Sequence, residues 1–468
     1  MNKFSPYLKQ KKKLLKELIN RLDEKFEFAS VLATDVVSKN YMVDTKISGI
    51  SPSNITEAGF VVRVYKDHKY YEYSFNEIKA NLIDKIISEI ELMVNQNKGI
   101  EDLKATKITE EKLTKKFKRL TKGTLLSDEE ILTKLDEVVK IGANFDKAVI
   151  NARASIEFSE FSKMYISADR DLEQFYTWIN PRTFVLVGKD DNIKYAYDGF
   201  GTNDTDYAFS HLKESIVDVA KLALELCSAS MPTPGKYTII TDPSITGLIA
   251  HEAFGHGLEM DQFVKDRAKG AEYMGKRVAS KHVTMHDGAK ATVSSASYFF
   301  DDEGTLAQDT VIIKKGILQS GICDAVSASI LGVKPTGNGR RESYKHKAYT
   351  RMTNTFFDKK DKTLDEMIAS VDYGYYIAIT NNGMEDPKNW GIQCTALYGR
   401  EIVNGKFSGK IVSPVVMSGY VIDLLESISM VAKDTFDIIG SGSCGKGYKE
   451  WVRVSDGGAS IKAEVKIG

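Results

Sequence analysis

The chain has 468 residues, 42% of them hydrophobic and 27% charged, with 64 Lys and Arg against 64 Asp and Glu. A chain this long exceeds one ordinary core and implies about two to four domains. The balanced charge leaves no global positive field to draw in a polyanion, which argues against nucleic acid as a partner, and no apolar run approaches the roughly 18 to 20 residues that a membrane crossing needs.

In chain order, residues 5–23 place Leu14, Leu15, Leu18, Ile19 and Leu22 on one helical face. Lys9, Lys11, Lys12 and Lys13 lead into an amphipathic pattern and not into the uninterrupted apolar core of a signal peptide, so a cytoplasmic protein is expected. Cys227, Cys323, Cys394 and Cys444 lie far apart with no C-x-x-C pair, which fits a reducing compartment. Segments 26–37 and 59–75 are rich in β-branched and aromatic residues and read as strands, the second broken at Asp67-His68 as a hairpin tip. A helix follows over 76–97, with Ile78, Leu82, Ile83, Ile86, Ile87 and Ile90 as its buried stripe. From 98 to 123 the chain turns polar and lysine-rich, a linker with some helix.

The pattern then restarts. Ser127-Asp-Glu-Glu130 is a capping box, Ile131, Leu135 and Val138 form the apolar face behind it, and Gly142 is its stop. Strands are predicted at 147–158, 163–167, 173–179, 183–187 and 193–197, closed by a helix over 206–227. The order helix, strands, helix thus occurs twice, an internal duplication at the level of structure. Ser228-Ala-Ser-Met-Pro232-Thr-Pro234-Gly235 has the composition of a boundary. Beyond it come a short strand at 236–241, one helix and many short β-prone segments. The expected fold class is α+β: units at 1–100 and 124–229, then a β-rich, barrel-like domain at 230–468 that carries the helix.

That helix holds Thr246-Gly-Leu-Ile-Ala-His251-Glu252-Ala-Phe-Gly-His256-Gly-Leu-Glu259, two imidazoles and a carboxylate within six residues. Imidazole nitrogens suit a borderline-soft cation such as Zn²⁺, and a carboxylate beside the first ligand can take a proton from water that the cation activates. In the zinc-peptidase pattern H-E-x-x-H the two His stand within about 40° of each other on an α-helix. Here the spacing is five, which on a regular α-helix turns the second His about 140° away. A π-type turn, or a helix that loosens at Gly255, would bring His251 and His256 back to one cation.

The third ligand is open among Cys444, Cys394, His282, His286 and Glu259. Cys444 is the choice, because Gly440-Ser-Gly-Ser-Cys444-Gly-Lys-Gly447 lets the backbone approach closely and a thiolate binds Zn²⁺ well. Two imidazoles and a thiolate leave a fourth position free, with Glu252 as general base. Gly337-Asn-Gly339-Arg340-Arg341-Glu342 suits gripping a peptide main chain or carboxylate, against the competing reading of an internal Arg-Glu network. Met352-Thr-Asn354-Thr-Phe is a strand that either lines a cleft for an extended peptide or lies in the interior.

Taken together, His251-Glu-Ala-Phe-Gly-His256-Gly-Leu-Glu259, Phe300-Asp-Asp-Glu-Gly304, Pro335-Thr-Gly-Asn-Gly-Arg-Arg-Glu-Ser-Tyr344, Arg351-Met-Thr-Asn-Thr355 and Ser443-Cys-Gly-Lys-Gly447 resemble the TldD/PmbA family of metallopeptidases, the TldD side in particular. The resemblance implies a zinc peptidase with His251, His256 and Cys444 as ligands and Glu252 as catalytic base. It further implies a dimer, with a TldE/PmbA-type chain that lacks the ligands or with itself, whose cavity admits only unfolded proteins or short peptides. The chain departs from the family at 382–393, where a Gly-Gly-Gln stretch is expected, and at 448–454. Two other readings compete: a non-enzymatic binding protein with a structural metal, in line with the family's gyrase-modulator label, and another metal-assisted amide hydrolase.

Overall fold

The computed structural model describes residues 2–97, 103–189, 192–446 and 450–468. Residues 98–102 of the expected linker, Gly447, and 448–449 of the divergent 448–454 segment lie outside them.

The first helix, Pro6–Asp23, begins at Ser5, whose hydroxyl accepts from the Leu8 N–H, and it buries Leu8, Leu15, Leu18, Ile19 and Leu22. Burying such a stripe against a sheet, more than intrinsic propensity, is what holds a surface helix. Strand Phe28–Asp44 runs further than expected, and strands Glu57–Lys66 and Lys69–Phe75 turn at Asp67 and His68, both at positive φ. The second helix is Ile83–Gln96. The capping box at Ser127 and Glu130 starts helix Asp128–Ala143, with both reciprocal hydrogen bonds present. Helix Thr205–Leu226 starts on Asp204, whose side chain accepts from the Tyr207 N–H.

Three expectations change. Among its described residues the lysine-rich stretch is not helical: Leu113–Arg119 is a strand parallel to Arg170–Lys189. Its alternation explains this, because Leu113 and Phe117 tuck against Tyr165, Leu172 and Phe300 while the lysines between them face water, as charges on an edge strand do. The five segments predicted between 147 and 197 are three strands, Val149–Ser167, Arg170–Lys189 and Asn192–Gly199. The polar residues that read as breaks are buried and paired: Ser159 Oγ lies 2.8 Å from Ser38 Oγ, and Asn180 Nδ2 donates to the Gly440 carbonyl of the C-terminal sheet at 2.7 Å. Finally, the two helix-strands-helix units share one eight-stranded sheet, joined where Phe28–Asp44 pairs antiparallel with Val149–Ser167.

The C-terminal part is β-rich and barrel-like, although its eleven-stranded sheet does not close as a whole. Strands Gly235–Thr241, Tyr373–Asp386, Gly391–Val403, Val415–Tyr420 and Glu450–Ile467 pair in sequence back onto one another. Beyond Glu450–Ile467 the sheet continues as an open wing through Asn354–Phe357, Met285–Asp287 and Thr310–Lys314. The core of this part includes Ile239, Ile240, Ile245, Leu248, Ala250 and Phe254, so the motif helix is packed inside it. No helix among the described residues is long and apolar enough to cross a membrane.

Candidate metal centre

Strand Gly235–Thr241 delivers the chain to Asp242, whose carboxylate accepts from the Ile245 N–H at 2.8 Å and from the Ile379 N–H at 3.1 Å, and so starts helix Pro243–Leu248. A Cβ on Gly247 would overlap the backbone of Gly457, so this turn lies directly on strand Glu450–Ile467. The helix then widens into a π-helix over Ile249–Gly255, where the His256 N–H donates to the His251 carbonyl five residues back. This is the distortion that a spacing of five requires, because a π-turn returns residues five apart to one face. The two imidazoles stand with ring centroids 5.0 Å apart, at 90° to each other.

Cys444 arrives from strand Met430–Lys446, where it pairs opposite Val452. Its Sγ lies 3.5 Å from His256 Nε2. One donor atom from each of His251, His256 and Cys444 falls within 4.8 Å of the other two, the one such group of three among the described His, Cys, Asp and Glu residues. None of the competing third donors, Cys394, His282, His286 or Glu259, falls within this group. Cys394 is buried in the core, where burial pushes its thiol well up. His286 sits between Asp309 and Asp358, at 2.7 and 3.2 Å, and Glu259 Oε2 takes His256 Nδ1 at 3.1 Å.

That last bond aims His256 Nε2 at the thiol, the usual way a carboxylate orients a ligating imidazole. Glu259 is itself buried, and burial alone would raise it; Lys446, 3.1 Å away, and His256 hold it at about 2. Lys446 also reaches Asp261 at 2.7 Å and the Thr350 carbonyl at 2.8 Å. Behind the cysteine, Arg351 donates to the Cys444 carbonyl at 2.5 Å. Burial opposes ionisation of the Cys444 thiol, yet His256 and His251 hold it well below the ordinary range, in the thiolate form that binds metals. His251 Nδ1 is buried without a hydrogen-bond partner among the described residues. An orphaned imidazole nitrogen beside a thiolate and a second imidazole fits a cation such as Zn²⁺.

Glu252 follows His251 on the same turn, its Oε2 4.0 Å from His256 Nε2. Room for it comes from Gly383, where a Cβ would stand 2.5 Å from Glu252 Cγ. Glu252 and His251 open onto a cavity of about 910 Å³ that is also lined by helix Thr205–Leu226. Two further carboxyls went unnoticed in the sequence. Asp456 lines the cavity beside them, raised to about 6 by burial. Glu385 lies in the divergent 382–393 segment with both oxygens buried and unpartnered among the described residues. Burial pushes it up to about 9, with Glu252 and Glu259 adding to the shift and His256 opposing it. Only its position in a segment already marked as unusual pointed to it.

Arg340, Arg341 and Asn354 are not brought to this cavity. Arg340 donates to the Met352 carbonyl at 2.6 Å. Arg341 grips Glu72 of the N-terminal sheet at 2.9 and 3.3 Å, which is the internal Arg-Glu network. Asn354, on an interior strand, donates to the Gly288 carbonyl and to Ser297 Oγ.

Residues 234–465 match the model of the PmbA/TldA metallopeptidase C-terminal domain. A metalloprotease described as a TldD homolog from Buchnera aphidicola is 32% identical over 349 residues, covering 69% of each chain. A zinc metalloprotease described as a TldD homolog from Saccharolobus solfataricus is 30% identical, with 58% of each chain aligned. Among solved structures, TldE from Thermococcus kodakarensis superimposes with a TM-score of 0.75 at 17% identity, over 97% of this chain and 99% of that one.

Proposed function

This chain belongs to the PmbA/TldD metallopeptidase family, and from that premise we propose that it is a zinc-dependent peptidase acting on unfolded proteins or short peptides. The observation that carries the reading is the convergence of His251, His256 and Cys444 from two distant segments, with Glu252 beside them at the wall of a large cavity.

His251, His256 and Cys444 would hold the ion, and zinc supplies polarisation of a peptide carbonyl and acidification of water at neutral pH. Glu252 takes the proton of the attacking water on its carboxylate and passes it to the departing amine nitrogen. Glu259 keeps His256 turned towards the thiolate, and Lys446 keeps Glu259 ionised. The cavity lies between the motif helix and helix Thr205–Leu226, a space that suits an extended chain and turns away a folded domain. We place the chain as the catalytic member of a dimer, with a TldE/PmbA-type chain or with a second copy, in the cytoplasm; the wide spacing of its four cysteines supports that compartment.

The test is elemental analysis of the purified protein beside digestion of an unstructured peptide. Cleavage should stop when a chelator strips the metal and return when zinc is restored. Cleavage indifferent to the chelator, or none from fully loaded protein with or without its dimer partner, would overturn the reading.

A further inference from the structure

The cavity beside Glu252 has a charge that the chain as a whole lacks. Lys plus Arg equals Asp plus Glu over the full sequence, yet eight carboxylates line the cavity against three Lys or Arg, which leaves −5. Some of this is internally compensated. Glu225 is taken by Arg400 at 2.6 Å, Asp198 by His211 at 3.3 Å, and Asp242 by the backbone at the helix start. No ion pair engages Glu214, Asp218, Asp437 or Asp456 among the described residues. Glu214 and Asp218 are exposed, four residues apart on the face of helix Thr205–Leu226 that lines the cavity. A cleft lined by one sign of charge focuses its field and concentrates ligands of the opposite sign.

A second feature of the same wall concerns the peptide main chain. Strand Tyr373–Asp386 pairs with Gly391–Val403 on one edge, while on its other edge Gly235–Thr241 covers only residues 374–377. From 378 onward that edge has no strand partner among the described residues, and Ile379–Gly383 line the cavity next to Glu252. An open strand edge offers main-chain hydrogen bonds to an extended segment.

We propose that this site selects peptides of net positive charge, held extended along the open edge at 381–383 with their ammonium or guanidinium groups towards Glu214, Asp218 and Asp437. The proposal rests on the peptidase reading for its occupant being a peptide. The charge, and not a particular side chain, does the selecting, because these three carboxylates are spread over two walls and form no closed pocket.

The experiment measures binding to the full-length Glu252→Gln protein, isolated with its metal and with whatever dimer partner it carries. The probes are three fluorescent unstructured peptides of one length that carry Lys, Gln or Glu at alternate positions. The Lys peptide should bind about tenfold more tightly than the Gln peptide, and the difference should collapse at about 0.5 M salt, where the Debye length falls to a few ångströms. Combined Glu214→Gln, Asp218→Asn and Asp437→Asn should remove the preference. The same number of amide substitutions outside the cavity, at Glu24, Glu129 and Asp365, should leave it in place. Equal binding of the three peptides, tighter binding of the Glu peptide, or a preference that survives the cavity substitutions overturns the proposal. Because binding is read without turnover, the two readings fail separately. Charge selection in a protein whose unsubstituted form cleaves nothing sinks the peptidase reading alone, and cleavage without charge selection sinks this one alone.

Discussion

Cys444 Sγ lies 3.5 Å from His256 Nε2 across 188 positions of sequence. A π-turn sets one partner and the pairing of strands Met430–Lys446 and Glu450–Ile467 sets the other, so each stays in place when the opposite side chain is shortened. Cys444→Ser and His256→Ala should therefore leave the fold intact and weaken metal retention by more than about tenfold. Metal content after dialysis against a weak chelator, beside a circular dichroism spectrum, reads both halves of the expectation. Full retention by either variant would remove that residue from the donor set.

Glu252, the proposed general base, is half-buried at the cavity wall and stands outside the apolar core. Glu252→Gln should keep the metal and the melting temperature while the rate of peptide cleavage falls by about 10² to 10⁴. Wild-type turnover from this variant would assign the base elsewhere, with Asp456 and Glu385 the next carboxyls to substitute.

Lys446 separates two buried carboxylates, Glu259 and Asp261. Lys446→Met leaves them without their cation, and breaking a buried charge pair in this way costs about 3 to 5 kcal/mol. Urea unfolding should show that loss, together with metal affinity lowered by about 10- to 100-fold, because the Glu259 carboxylate that orients His256 then loses the cation that helps keep it ionised. Glu259→Gln should lower metal affinity with a smaller effect on stability, since it removes a buried charge along with its need for a cation.

Gly255 closes the π-helix against Met352, and a Cβ there would overlap the thioether sulfur. Gly255→Ala should destabilise the protein by about 1 to 3 kcal/mol through overpacking, and Met352→Ala should recover part of that loss when the two are combined. Strict additivity of the two substitutions in thermal unfolding would refute this packing account.

His286 is raised to about 9 from 6.5, through its hydrogen bond to Asp358 first, with Asp309 adding to the shift and burial opposing it. Because the folded value lies above the unfolded one, the stabilisation is complete below pH 6.5 and is lost as the pH rises through about 9. Both carboxylates are nearly half exposed, so solvent screening limits the effect to about 1 kcal/mol. His286→Gln should thus be less stable than the parent at pH 6 and nearly equal to it at pH 10. A deficit that grows with pH would have the wrong sign.

Much of this protein is written locally. The stripe of Leu15, Leu18, Ile19 and Leu22, the Ser127-Glu130 capping box and the Asp67-His68 turn are each settled by residues a few positions apart, and each appears as the pattern implies, although Leu8 and not Leu14 is the fifth residue buried. Even a distorted helix could be inferred, because two metal-type side chains five residues apart conflict with the α-helical period, and of the two devices that reconcile them, a π-turn or a helix loosened at Gly255, the structure has the π-turn.

Other features are invisible along the chain because their partners are distant. Leu113–Arg119 reads as a polar linker until Arg170–Lys189 lies beside it, and Asn180 reads as a break until the Gly440 carbonyl receives its amide. Arg341 could grip a substrate or a carboxylate of its own chain, and Glu72, 269 positions away, decides between them. Glu385 is an ordinary acidic residue until folding buries it near His256 and Glu252. The sequence by itself determined helices Pro6–Asp23, Asp128–Ala143 and Thr205–Leu226, where they start, and which side chains can bind a metal, since periodicity and capping depend on neighbours in the chain. Tertiary structure alone decided that two helix-strands-helix units share one sheet, that Cys444 lies beside the two imidazoles, and that the cavity is acidic in a neutral protein. Burial and electrostatic potential are properties of what surrounds a residue in space.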